Sequence, residues 1–197
     1  MAELERNEMY IKDEQEDGVF AVSLVESPAI EENFIALSKH KIDLKVADEE
    51  RRIVVGFALV PEKEIYRKMN INGEDKEFNI FFSKETVAQT QEVYMKQLNL
   101  NNVTAEHEKP VTDCCVIESW IVEDKDNDKS NIYNLNANGG EWVIMMKIDN
   151  DEEWADIKEG KKLGFSIEGA FQGFENLQSK QLTDNEIINQ IKNIING

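Results

Sequence analysis

The sequence predicts an α+β domain dominated by β-structure: a mostly antiparallel sheet or barrel of about six or seven strands with two or three helices. Runs of β-branched and aromatic residues recur along the chain, each closed by Pro, Gly or Asn. Only two or three segments carry helix caps with apolar residues at helical spacing. A length of 197 residues with 41% hydrophobic content is enough for one sizeable core.

Residues 1–17 are rich in charge and carry no sustained apolar period, so they read as a solvated arm or a loosely attached first strand. The domain is expected to begin at Gly18, where GVFAVSLVESPAI forms a Val-rich strand stopped by Pro28, which has no N–H for a ladder. FIAL at 34–37 is a second short strand candidate, and 38–51 a polar strand or a loop. IVVGFALV at 53–60 is almost wholly apolar up to Pro61, as a central strand buried on both faces would be.

Asn72-Gly73 is a turn signal, and FNIFF at 78–82 follows it as a strand. Ser83 then caps a helix over 84–98, with Val87, Tyr94 and Leu98 near one face and an end near Asn99. DCCVIESWIVED at 113–124 reads as a strand, followed by a polar surface loop that ends in a Gly pair. The strand EWVIMMKI at 141–148 leads into a short helix, DNDEEWADIKEG. Its acidic first turn suits the positive helix N-terminus, Gly160 suits the position after its end, and Trp154 and Ile157 form its inner side.

GFSIEGAFQGF at 164–174 is strand-like, with three glycines that permit tight bends or close backbone approach. In TDNEIINQIKNIING a capping box from Thr183 to Glu186 precedes isoleucines 187, 188, 191, 194 and 195, an amphipathic helix pattern. The expected organisation is an acidic arm over 1–17, a domain over 18–174, and a polar linker with a C-terminal amphipathic helix over 175–197.

Lys and Arg total 22 against 40 Asp and Glu, a net charge of −18. Coulomb repulsion argues against nucleic acid and anionic membranes as partners. The two cysteines, Cys114 and Cys115, are adjacent and point to opposite faces of an extended segment, so no disulfide framework is expected. Two histidines without a close Cys/His cluster give no structural zinc site, and no cofactor motif is present. No apolar run reaches the roughly 18 residues that a spanning helix needs, and no basic-then-apolar leader opens the chain, so a soluble intracellular protein is expected.

Few residues can do chemistry. His40 lies between lysines in a polar stretch, whereas His107 sits in TAEHEKP, in acidic surroundings just ahead of a strong strand. Ser166 lies between Gly164 and Gly169 in a segment that otherwise reads as buried strand, where small neighbours leave room for a substrate backbone. The spacing G-x-S-x-x-G with strand after it is not a strand-turn-helix nucleophile elbow. An ordinary surface histidine and a structural strand serine are the plain alternatives.

Read in order, IVVGFALVPEKEIYR, FSKETV, EHEKP, VIESWIV, a Trp-bearing helix and IKEGKKLGFSIEGAF resemble the phage serine protease branch of the tailed-phage prohead proteases. The resemblance covers roughly residues 18–174 and implies a fold shared with herpesvirus assemblins. It further implies that Ser166 is the catalytic nucleophile and His107 its general base. In much of that family a VSLV-x-x-PA segment follows the serine; here VSLVESPA lies at 22–29, ahead of it, as in a circular permutation.

For the third member of a triad, Glu118 is the candidate, because a carboxylate in an otherwise apolar strand needs a partner. Glu106 and Glu108 are alternatives and Glu168 a remoter one; a solvent-facing glutamate is the plain reading of Glu118. The family implies an endopeptidase that acts in the host cytoplasm inside the procapsid. Its substrates would be scaffold and major capsid proteins, and sometimes itself, and it can form homo-oligomers. A catalytically inactive scaffold or capsid-assembly protein that keeps the fold is the competing expectation, and an acidic binding domain a third.

Overall fold

The structure is a computed structural model and describes residues 4–27, 45–48, 50–71 and 73–174. Its strands are β1 (Arg6–Met9), β2 (Gly18–Val25), β3 (Lys45–Asp48), β4 (Ile53–Leu59), β5 (Ile65–Ile71), β6 (Glu74–Phe82), β7 (Val103–Ala105), β8 (Lys109–Val111), β9 (Cys114–Ile121), β10 (Trp142–Ile148) and β11 (Gly164–Ala170). The helices are α1 (Lys84–Lys96) and α2 (Asp151–Lys158). The strands form three sheets, ordered β1-β6-β5, β3-β4-β10-β9 and β11-β2-β7-β8.

The apolar run at 53–59 dictates the middle of the molecule. All seven residues of β4 are buried, and β4 pairs antiparallel with β3 on one side and β10 on the other. Its two faces feed two apolar clusters: Val54, Ala58 and Leu59 join one with Trp142, Tyr94 and Phe165, while Ile53, Val55 and Phe57 join the other with Val143 and Leu135. A strand with alternating polar residues would leave one of those clusters open to water.

α1 forms as its caps require. The Ser83 hydroxyl accepts from the Thr86 N–H at 3.3 Å, and Thr86, Val87, Thr90, Val93 and Tyr94 make its buried face. Leu98, expected on that face, lies past the helix end at φ 58° and is 76% exposed. The left-handed turn there reverses the chain into β7 instead of extending the apolar stripe. α2 is capped by Asn150, whose side chain accepts from the Glu153 N–H at 3.1 Å; Trp154 and Ile157 are buried, and Gly160 takes φ 72°.

The β-rich α+β class holds, but among the described residues the single sheet or barrel of six or seven strands gives way to eleven strands in three sheets, none closed into a barrel. The additional strands are those whose own pattern is weak. β5 reads IYRKMNI, half-exposed and charged, and is held by its hairpin with β6 across the two-residue connection between Ile71 and Glu74. β7 and β8 have three residues each, too few to show a period. The N-terminal segment is a strand firmly in place: β1 runs parallel to β6, and Met9 is fully buried. The FIAL strand, His40, the 175–197 tail and its isoleucine helix lie outside the described residues.

A buried aspartate fastens the N-terminal segment to the residues that follow β11. Asp17 is only 3% exposed. It accepts from the N–H groups of Lys12 at 2.8 Å and Asp13 at 3.0 Å, and from Gln172 Nε2 at 2.8 Å. Burial alone would raise its pKa, but these donors outweigh it and hold the carboxyl below the ordinary value. A depressed carboxylate pKa contributes stability above the unfolded-state value, and that contribution fades as the pH falls through the folded-state value. Asp17→Ala is therefore expected to cost about 1–3 kcal/mol at neutral pH in urea unfolding. The deficit relative to wild type should shrink in acid below about pH 4.

Candidate active site

β11, β2 and β7 lie side by side, and their register aligns three hydroxyl residues across the sheet. Ser166 pairs with Ser23, and Ser23 with Thr104. Residues opposite one another in a ladder share a face, so all three hydroxyls and Glu168, two positions after Ser166, point to one side. Phe165, Leu24 and Val103 point to the other and join the core. Small residues make the close approach possible: a Cβ on Gly169 would sit 2.4 Å from the Gly18 carbonyl oxygen.

His107 is presented by the β7–β8 turn. The Glu108 N–H bonds to the Ala105 carbonyl at 3.1 Å, and the two central residues, Glu106 and His107, have φ 51° and 60°. A turn with both central residues in the left-handed region is of type I′, which favours Asn-Gly. Two residues with bulky side chains hold that conformation because three contacts over-determine it. The His107 N–H donates to Ser23 Oγ at 3.0 Å, the Glu106 N–H donates to the Leu24 carbonyl at 3.1 Å, and Glu106 Oε1 accepts from the Glu26 N–H at 2.9 Å.

The imidazole has a carboxylate behind it. His107 Nδ1 lies 3.2 Å from Glu168 Oε1, which also accepts from the Thr104 hydroxyl. An ionised carboxylate only accepts, so this contact favours a proton on Nδ1, and in the neutral imidazole that tautomer leaves Nε2 as the acceptor. Ser166 and His107 both line a cavity of about 310 Å³, with Val25, Ser27, Arg67, Glu106 and Ile167. A hydrogen bond between nucleophile and base commonly tightens only when substrate arrives. Ser23 is fully buried and its oxygen already accepts the His107 N–H, whereas Ser166 and Ser27 both line the cavity.

The structure brings together Ser166, His107, Glu106 and Glu168. It does not bring Glu118 to them: Glu118 lies on β9 in another sheet, and its Oε2 accepts from Lys129 Nζ. The need of that carboxylate for a partner is met by a lysine across a loop, with the glutamate side chain 46% exposed. Glu108 is exposed. Cys114 offers no rival nucleophile, since burial first and neighbouring acids second push its thiol up to about 11. Among the described residues, no group of three or more His, Cys, Asp or Glu side chains gathers to hold a metal ion.

Two further residues escaped sequence reasoning. Arg67, on β5, reaches the cavity wall from a different sheet, a position that its polar neighbourhood in IYRKMNI does not signal. Lys162 is buried, and its Nζ donates to Glu106 Oε1 at 2.5 Å, locking the turn that holds His107. Lys162→Met is expected to lower stability by about 1–3 kcal/mol in urea unfolding. It should also slow any reaction that uses His107 by about tenfold or more, with Lys162→Arg restoring most of the rate.

A family model described as "Putative phage serine protease XkdF" matches residues 40–175. No curated protein and no solved structure matches the chain.

Proposed function

The chain belongs to this phage serine protease family, and from that premise we propose that it is a prohead-maturation endopeptidase working through Ser166 and His107. The observation that carries the reading is the cavity shared by Ser166 and His107, with Glu168 behind the imidazole. Ser166 Oγ attacks the peptide carbonyl while His107 Nε2 takes the hydroxyl proton and then passes it to the leaving amine. Water resolves the acyl-enzyme by the same route. Glu168 keeps Nδ1 protonated and stabilises the imidazolium, so it acts as a positioning residue. Backbone N–H groups near Ser166 hold the developing oxyanion, and the Arg67 guanidinium on the cavity wall adds a positive field there.

The substrates we assign are scaffold and capsid-associated segments, and the enzyme itself, cleaved inside the procapsid in the host cytoplasm before DNA enters. The net charge of −18 suits a protein that must not adhere to nucleic acid. The antiparallel pairing of β2 with β11 supports an assemblin-like arrangement in permuted order, because the VSLV strand lies beside the serine strand while preceding it in sequence. A catalytically inactive scaffold protein is the second reading, and the low exposure of Ser166, 6%, favours it.

Phage carrying Ser166→Ala distinguishes the two. The endopeptidase reading expects unprocessed scaffold and stalled proheads in the mutant. Normal processing and normal heads in the mutant would favour the scaffold reading.

A further inference from the structure

Ser166 and Ile167 stand on the wall between two cavities of opposite character. One, of about 310 Å³, holds His107, Glu106 and Ser27. The other, of about 140 Å³, is walled by Met9, Ile65, Ile80, Phe82, Phe171 and Phe174. Its aromatic walls are packed edge to face: Phe82 meets Phe171 at 4.8 Å, and Phe174 meets Phe78, outside the lining, at 6.2 Å. Arg67 borders both cavities.

The chemistry of acyl transfer decides which half of a substrate enters which cavity. The base that takes the serine proton must return it to the leaving amine, so the leaving segment lies on the His107 side of Ser166. The acyl segment then extends away from His107, and the other cavity that Ser166 borders, which His107 does not line, is the apolar one. We infer that this cavity is the specificity subsite, taking a bulky apolar side chain, that of Phe, Leu or Met, from the residue on the acyl side of the cleaved bond. The inference rests on Ser166 as the nucleophile and adds the substrate class to it.

Size and lining both point to that class. An apolar cavity of about 150 Å³ stays dry and accepts a benzene-sized guest, so a space of about 140 Å³ fits one phenyl or branched alkyl group. An ammonium placed among Met9, Ile80 and Phe82 would lose its water, and the one charged side chain on the wall, Arg67, would repel it. Full burial of a Phe or Leu side chain in place of Ala is expected to speed reaction by about 10- to 100-fold.

The test uses the full-length protein and a set of peptidyl phosphonates that differ only in the side chain next to phosphorus: Phe, Leu, Ala, Asp and Lys. Rates of covalent modification of Ser166 are read by mass spectrometry, beside a small alkyl fluorophosphonate as reference. The expected result is that the Phe and Leu reagents react at least about tenfold faster than Ala, with Lys slowest and Asp below Phe and Leu. Ala58→Val, which adds two methyl groups to the cavity wall on β4, should lower the Phe-to-Ala ratio about threefold or more.

Equal rates across the set, or preference for Asp or Lys, with the small reagent still on Ser166, overturn the subsite and leave the nucleophile standing. A Phe preference unchanged in folded Ala58→Val would place the recognition elsewhere and also overturn it. Failure of every reagent, the small one included, overturns both.

Discussion

Ser166→Ala and His107→Ala are each expected to reduce peptide hydrolysis by about 10⁴- to 10⁶-fold, and the double variant by no more than the worse of the two. The reasoning is mechanical. The two residues line one cavity, and in the proposed mechanism proton transfer between them is a single event, so the loss of either would remove the whole event. Without the base, the serine hydroxyl stays protonated and attacks poorly; without the serine, an imidazole has only water to activate. Folding should survive both changes. His107 has a half-exposed side chain, and its turn is held through backbone groups and Glu106, while Ser166→Ala removes one oxygen from a strand secured by its ladder with β2. Steady-state hydrolysis of a peptide ending in a chromogenic amide measures the effect, with circular dichroism confirming the fold. Multiplying losses in the double variant would mean that the residues act in separate steps.

Glu168→Gln is expected to lower the same rate by about 10²- to 10⁴-fold, whereas Glu118→Gln should change it little. At 3.2 Å from Nδ1, the Glu168 carboxylate fixes the tautomer that leaves Nε2 free to accept a proton. A glutamine can present its N–H instead, which favours the tautomer with Nε2 already protonated and useless as a base. Glu168 also accepts from Thr104. Thr104→Val should therefore give a smaller loss in the same direction. Glu118, on β9 in another sheet, pairs with Lys129 from the loop that follows, so its neutralisation removes only a surface ion pair. A large fall in Glu118→Gln with none in Glu168→Gln would reverse the assignment of the positioning carboxylate.

The contrast between these two glutamates shows where the sequence was legible. Buried strands such as β4 and β10 announce themselves through long apolar runs, and both helices through their caps. Ser166 with its glycines and His107 with its acidic setting were candidates from local signals whose roles came from the family resemblance, and the structure sets both on one cavity. The carboxylate behind the imidazole depends on which strands become neighbours. Glu118 is closer to His107 along the chain, but β9 joins β10 in one sheet while β11 joins β2 in another. Glu168 reaches the histidine across β2, 61 positions away in sequence. Arg67 was hidden for the same reason, since β5 shows too little apolar pattern to announce a strand and meets the site only through packing between sheets. The type I′ turn at Glu106-His107 was hidden because nothing in the side chains there favours positive φ; the surrounding hydrogen bonds impose it.

The direct test of a serine activated across a sheet is the reaction of the full-length protein with a small fluorophosphonate, with the adduct mapped by peptide mass and its rate compared in His107→Ala. One adduct per chain on Ser166, formed at least about 100-fold more slowly without the imidazole, is the predicted result. An adduct on Ser23 or Ser27, or one on Ser166 whose rate ignores His107, would contradict it.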